Sequence, residues 1–119
     1  MKILIAEDEK ICQNAVKNFC KKMEIECDTA DNGKEAVDLC KQEIPYDVIL
    51  MDMYMPELNG TQATESIRSL SHGSSYIIIL LTGLEDMTEE DAKKIGFDGF
   101  IKKPLSKKAF EEIVAKYKK

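Results

Sequence analysis

The sequence predicts one α/β domain: a parallel sheet with helices on both faces. Three observations lead there. Strand-like and helix-like stretches alternate along the whole chain, the order that builds successive βα units. The stretch Tyr76–Leu81, and the centre of Tyr46–Met51, are continuously apolar, as strands covered on both faces must be. A length of 119 residues suits one domain and buries roughly two-thirds of the unfolded chain's surface. With 44% hydrophobic and 33% charged residues, the composition is that of an ordinary globular protein.

Each element has its own signal. Ile3–Ala6 is a short apolar strand that stops at Glu7-Asp8-Glu9. Ile11, Ala15, Val16, Phe19 and Met23 recur at helical spacing, predicting a helix over 10–22. A weaker strand follows over Ile25–Thr29, then turn chemistry at Asp31-Asn32-Gly33. Ala36, Val37 and Cys40 give the second helix its buried face, with Pro45 beyond its end. After the strand at 46–51, Pro56 and Asn59-Gly60 make a loop, and a helix is predicted over 61–70. Ser71–Ser75 reads as a flexible connector, with His72 solvated in it.

The apolar strand Tyr76–Leu81 comes next. Thr88 with Asp91 forms a variant capping box for a helix over 88–95, ended by Gly96. Phe97–Ile101 is the fifth strand. Leu105, Ala109, Phe110, Ile113, Val114 and Tyr117 stripe the last helix.

Charge and cysteine usage exclude several classes. The net charge of −5 is uneven: residues 102–119 hold seven Lys and two Glu, or +5, which leaves −10 on the first 101. An acidic body lacks the basic stripe of a duplex-binding module, so no direct nucleic-acid binding is expected. The basic tail reads as the solvated face of a terminal helix, with Lys near its C-terminal dipole end. Cys12, Cys20, Cys27 and Cys40 form no C-x-x-C pair, so zinc and redox motifs lack support. Cys12 and Cys20 read as core filler. The chain passes from Met1 directly into a strand, and its longest apolar run, Ile77–Leu81, is too short to span a bilayer. The expectation is a reduced, cytoplasmic protein without membrane insertion.

In parallel sheets, ligands bind outside the carboxyl ends of the strands. Those ends carry Glu7-Asp8 after the first strand, Asp52 after the third, Thr82 after the fourth and Lys102-Lys103 after the fifth. Singly, each reads more readily as a cap or turn residue than as chemistry. Together they describe one pocket. Three clustered carboxylates repel one another unless a cation sits among them, and an all-oxygen set with few carboxylates suits Mg²⁺. An aspartate can attack phosphorus to give an aspartyl phosphate, while an ammonium and a hydroxyl hold other phosphoryl oxygens.

These segments resemble a family, across essentially the whole chain. Ile3–Glu9, Asp47–Gly60, Ile78–Gly83 and Gly99–Pro104 are similar to the receiver domains of two-component response regulators. The resemblance implies a doubly wound (βα)5 domain over 1–119 with flavodoxin-like strand order 2-1-3-4-5 and no output domain. It implies Asp52 as phosphoacceptor, with Mg²⁺ (Mn²⁺ as substitute) held by Asp8, Asp52 and the Tyr54 backbone carbonyl, and by Glu7 through water. Thr82 and Lys103 would hold the phosphoryl group, and Thr82 with Phe100 would form the switch. The implied donor is a histidine kinase or a histidine phosphotransfer protein docking near the first helix. The output is a changed surface at helix four, strand five and helix five, for an unidentified downstream protein. The domain would be a monomer or a weak, phosphorylation-dependent dimer, and it would catalyse only its own phosphorylation and dephosphorylation. Gly60–Arg68 resembles the receivers of hybrid histidine kinases.

The chain departs from the family pattern in four places. Glu7 stands where many receivers have Asp, and Phe100 lacks a Tyr hydroxyl. Tyr54 and Leu84 flank the site where residues are usually smaller or more polar. Other functions fit less well. A nucleotide- or flavin-binding enzyme needs a Gly-rich loop after the first strand, where Glu7-Asp8-Glu9 stands. A haloacid-dehalogenase-type phosphatase wants a second Asp where Tyr54 stands. A constitutive interaction module that is never phosphorylated is the remaining alternative, and the intact Asp8, Asp52, Thr82 and Lys103 argue against it. Met51, Met53 and Met55 read as packing rather than a soft-metal site.

Overall fold

The computed structural model describes residues 1–118. Five strands alternate with five helices: β1 (Lys2–Ala6), α1 (Lys10–Lys22), β2 (Glu26–Ala30), α2 (Gly33–Lys41), β3 (Val48–Asp52), α3 (Gly60–Arg68), β4 (Ile78–Thr82), α4 (Glu89–Ile95), β5 (Gly99–Lys102) and α5 (Lys107–Tyr117). The strands form one sheet in the order β2-β1-β3-β4-β5, and every pairing is parallel. All C-terminal strand ends therefore lie along one edge.

The period of two along each strand sorts the core into layers. Leu4, Ile49, Met51, Ile78 and Leu80 face the layer with Ala36, Val37 and Cys40 of α2, Ala63 and Ile67 of α3, and Ala92 of α4. Ile3, Ile5, Leu50, Ile79 and Leu81 face Val16 and Cys20 of α1, with Phe110 and Val114 of α5. So α2, α3 and α4 cover one face, and α1 and α5 the other. The strands at the centre are buried throughout, which is why their sequences show no polar alternation.

Local chemistry sets the helix ends. Asn32 caps α2 by accepting from the Glu35 N–H at 2.8 Å. Asn59 and Gln62 form a reciprocal box on α3, and Thr88 and Asp91 do the same on α4. Gly96 ends α4 at φ 116°, a conformation that favours glycine.

Several sequence expectations need correction. The strand before Asp52 starts at Val48, not Tyr46. The Tyr46 hydroxyl instead donates to the Asp28 carboxylate at 2.7 Å, while Asp47 accepts from the Lys2 N–H at 2.8 Å. The apolar segment 76–81 likewise becomes a strand only at Ile78 and runs on through Thr82. The second strand is shifted by one residue to Glu26–Ala30, and the fifth begins at Gly99 rather than Phe97.

On α1 the buried stripe is Gln13, Val16 and Cys20. Ile11 lies two residues before Gln13, about 200° around the helix, and is 83% exposed. Cys12 is only half-buried and so is not core filler, though Cys20 is.

The 71–75 connector is tied down rather than loose. It holds a 3₁₀ turn at Gly73–Ser75. His72 is not solvated: one ring nitrogen lies 2.8 Å from the Cys40 carbonyl, and the ring meets Tyr76 edge-on. Arg68, at the end of α3, donates to the carbonyls of Gly73 (2.9 Å), Tyr76 (2.6 Å) and Gly96 (3.2 Å). It also pairs with Asp98 at 2.7 Å, and Asp98 accepts from the Ile78 N–H at 2.8 Å. One guanidinium thus fixes the entries to β4 and β5. Arg68→Met should lower the unfolding free energy by about 2–3 kcal/mol, because buried carbonyls lose charged donors. Urea denaturation followed by far-ultraviolet circular dichroism measures this, and a loss below about 0.5 kcal/mol, the usual size of a surface substitution, would refute the account.

Candidate functional site

Four loops meet at the C-terminal edge of the sheet. Glu7 and Asp8 leave β1, Asp52 is the last residue of β3, Thr82 the last of β4, and Lys103 follows β5. Glu7 is fully buried, Asp52 is 5% exposed and Asp8 is exposed. One carboxylate oxygen from each of Glu7, Asp8 and Asp52 lies within 4.8 Å of the others. The Lys103 ammonium bridges two of them, 2.8 Å from Asp52 Oδ1 and 2.9 Å from Glu7 Oε2. Lys102 is exposed and reaches only Glu85 at 3.6 Å, across the surface.

Backbone contacts hold these groups in place. The Lys103 N–H donates to the Thr82 carbonyl at 2.7 Å, tying the ends of β4 and β5 together, and the Lys103–Pro104 peptide is cis. The Glu9 N–H donates to Glu7 Oε1 at 3.1 Å. Behind Asp52, the Gly60 N–H donates to the Met53 carbonyl at 2.8 Å. A Cβ on Gly60 would lie 2.3 Å from the Asp52 carbonyl oxygen, so the loop closes only with glycine there. Thr82 Oγ1 accepts from the Leu84 N–H at 3.1 Å, which leaves its hydroxyl hydrogen for another acceptor.

Gln13 is a site-supporting residue that sequence reasoning missed. It is 1% exposed, and its amide donates to the Glu7 carbonyl and, at 2.8 Å, to Asp31 Oδ1. The missed signal was a lone polar residue three before Val16 on an otherwise apolar stripe.

Electrostatics make the cluster cation-seeking. Burial raises the Glu7 carboxyl above the usual carboxylate range, against the lowering effect of Lys103 and the Glu9 N–H. For Lys103, burial pulls the ammonium down, but Asp52 and Glu7 outweigh it and hold it above its usual value. Glu7 Oε2 has only the ion contact with Lys103 and no aligned hydrogen bond. Three carboxylates against one ammonium leave an excess negative charge with hard oxygen donors, which fits a divalent ion such as Mg²⁺. Asp8, Glu9, Asp52, Met53, Tyr54, Thr82, Leu84 and Lys103 wall one open cleft. Tyr54 is 70% and Leu84 40% exposed at its rim.

Comparison with known proteins assigns the family. A family model described as the response regulator receiver domain matches residues 3–115. The chain belongs to that family. Its receiver domain is 32% identical to hybrid signal transduction histidine kinase F of Dictyostelium discoideum, covering 98% of this chain and 11% of that protein. It is 30% identical to the chemotaxis protein CheY of Halobacterium salinarum, covering 95% of this chain and 92% of that protein. The chain therefore spans about a tenth of the hybrid kinase and nearly all of the chemotaxis protein.

Among solved structures, the receiver domain of a Pseudomonas aeruginosa sensor histidine kinase, with magnesium coordinated in its active-site cleft, superposes with TM-score 0.87 at 26% identity. That match covers 98% of this chain and 95% of the other. The receiver domain of a Saccharomyces cerevisiae response regulator, crystallised with its upstream histidine phosphotransfer protein, superposes with TM-score 0.89 at 28% identity, covering 98% and 88%. The doubly wound fold with order 2-1-3-4-5 and a place in two-component signalling are thereby established. Receiver domains are phosphoacceptor switches.

Removing the central cation tests the electrostatic account. Lys103→Met leaves Glu7 buried beside Asp52 with no positive partner, and should cost roughly 3 kcal/mol, near the lower end for breaking a buried ion pair. Urea melts of both proteins in metal-free buffer check it; equal midpoints would show that Lys103 is not what holds the carboxylates together.

Proposed function

We propose that this receiver accepts a phosphoryl group on Asp52 from a phosphohistidine and relays the event through its own conformation. The carrying observation is the Lys103 ammonium 2.8 Å from Asp52 Oδ1, at a strand edge where Glu7 and Asp8 supply further oxygens. Asp8, Asp52 and the Tyr54 backbone carbonyl would hold Mg²⁺, with Glu7 acting through water, and Mn²⁺ would serve in its place. The bound ion supplies charge neutralisation for the incoming phosphoryl oxygens.

The chain's residues do the rest. An Asp52 carboxylate oxygen attacks phosphorus, the P–N bond to the donor imidazole breaks, and an acyl phosphate forms. Lys103 shifts from the carboxylate to a phosphoryl oxygen. Thr82 turns its free hydroxyl hydrogen to another. That draws the ends of β4 and β5 inward, and half-buried Phe100 on β5 responds as the switch residue. The affected surface is α4, β5 and α5, a population shift between states a few kcal/mol apart.

The donor is a histidine kinase or a histidine phosphotransfer protein. Exposed Ile11, with Ala15, Pro104 and Leu105, lines an apolar groove that runs up to Lys103 and offers that donor a seat beside the reacting carboxylate. The downstream partner is a protein, not nucleic acid, in a cytoplasmic setting. Among the described residues no helix is long and apolar enough to cross a membrane. The working form is a monomer or a weak dimer that tightens on phosphorylation.

Intact-mass measurement after acetyl phosphate and Mg²⁺ should show one added phosphoryl group on the wild type. Asp52→Asn should show none, and EDTA should abolish the gain. If beryllofluoride with Mg²⁺ also leaves the domain unperturbed, the constitutive interaction module replaces this reading.

Tyr54 and Leu84 at the rim should shield the acyl phosphate from water. Tyr54→Asn combined with Leu84→Glu should speed dephosphorylation by about tenfold, equivalent to ~1.4 kcal/mol of barrier. The decay of the phosphorylated mass after removal of acetyl phosphate reads this directly, and an unchanged or slower decay refutes the shielding role.

A further inference from the structure

Cys20 and Cys27 meet beneath the edge of the sheet, away from the phosphoacceptor cleft. The turn after α1 brings them together: the Ile25 N–H donates to the Cys20 carbonyl at 2.8 Å, and two residues later Cys27 enters β2 opposite Ile3. Both side chains pack in the layer formed by Val16, Ile3 and Val48. Cys20 is 1% exposed, whereas Cys27 is half-buried. The two thiols lie near enough to shift each other's ionisation in opposite directions, and the Cys27 thiol donates to the Asp28 carbonyl at 3.7 Å. The pair has one half-buried and one fully buried member.

We propose that Cys20 and Cys27 are an oxidisable pair, in which a hydroperoxide attacks at Cys27 and Cys20 closes the disulfide. The steps balance. The Cys27 thiol gives up its proton, and its sulfur, as thiolate, takes an oxygen from H₂O₂; the O–O bond breaks, the leaving hydroxide takes up that proton and departs as water, and the sulfenic acid remains. The Cys20 sulfur then attacks the Cys27 sulfur, the S–O bond breaks, a second water leaves, and the S–S bond forms. Two thiols are oxidised and one peroxide is reduced to water.

The other cysteines lack this combination. Cys12 is half-buried and its thiol is pushed up by burial and by Glu7. Cys40 is fully buried, with its thiol pushed up to about 12. The neighbouring Cys20 thiol, with Lys17 helping, lowers the Cys27 thiol against the raising effects of burial and Asp28, which is the direction an attacking thiol needs. The product ties the last turn of α1 to the edge strand β2, so the helix that carries Ile11 gains a covalent anchor to the sheet. The inference does not depend on phosphorylation at Asp52.

The test is peptide mapping of the folded 119-residue chain after a limited pulse of H₂O₂ and alkylation without reduction. Lys21 and Lys22 lie between the two cysteines, so trypsin separates peptide 18–21 from peptide 23–34 unless a disulfide joins them. The expected result is a linked pair of these peptides, two hydrogens lighter than their sum and lost on reduction, while Cys12 and Cys40 remain alkylatable. Cys20→Ser should abolish the linked pair and trap Cys27 as a dimedone adduct; Cys27→Ser should leave Cys20 unoxidised. Asp52→Asn should give the same yield of linked peptides as wild type. Oxidation of Cys27 to sulfinic acid without the link, or preferential oxidation of Cys12, would overturn the proposal.

Discussion

Everything at the C-terminal edge depends on one ammonium group held between two carboxylates. Glu7 and Asp52 sit at the ends of neighbouring central strands, where the sheet's parallel pairing aligns them and the flanking helices exclude water. Burial makes the charged forms costly, so the arrangement persists only with a cation between them. Lys103 reaches that point because its own N–H is bonded to the Thr82 carbonyl. The same contact that closes β5 onto β4 therefore aims the side chain that neutralises β1 and β3.

The opposite edge is organised by the same logic with the charges reversed. Here the strands begin, and the chain must supply donors for carbonyls and partners for N–H groups left over by short turns. Arg68 meets three carbonyls and Asp98. Asp98 in turn accepts from the start of β4. Gly73 lies so close to the Ile67 carbonyl oxygen that a Cβ would stand 1.9 Å away, so the turn packs directly onto the end of α3. A firm lower edge leaves the upper loops as the part of the domain free to rearrange.

The fold was legible in the sequence because its signals are local and repeated. Helix periodicity, turn residues at Asp31-Asn32-Gly33 and Asn59-Gly60, the capping signal at Thr88 with the stop at Gly96, and the apolar runs before Asp52 and Thr82 all point to the same architecture. The strand-end residues were legible for the same reason, since a parallel sheet sends every C-terminal end to one edge. What the sequence did not disclose were side chains whose role is set by tertiary partners. Gln13 looks like a surface residue until α1 is packed against Glu7 and Asp31. His72 looks solvated until the Cys40 carbonyl is placed beside it. Ile11 fits an apolar helical pattern, yet the stripe that faces the sheet is offset from it. Tyr46 and Tyr76 look like strand residues because they are apolar and flank strands, but they stand just before β3 and β4, with their hydroxyls on Asp28 of β2 and on the Ile44 carbonyl.

On the proposed reading, the charge balance of the cleft is what lets the site act as a switch. Glu7, Asp8 and Asp52 against Lys103 already leave a negative excess, and an aspartyl phosphate brings about −2 in place of one carboxylate. Lys103 is the only ammonium within contact of these carboxylates among the described residues, so neutralising the product requires both a divalent ion and a closer approach of Lys103. Because Lys103 is bonded through its backbone to Thr82, it cannot move alone. Any pull on the ammonium is felt by the ends of β4 and β5 together, and Phe100, three residues earlier on β5, lies half-buried against the layer beneath α4. On the proposed reading, Phe100 must be driven by packing, because it has no hydroxyl to hydrogen-bond in either position. On that reading, the energy separating the two states comes from the apolar area Phe100 hides.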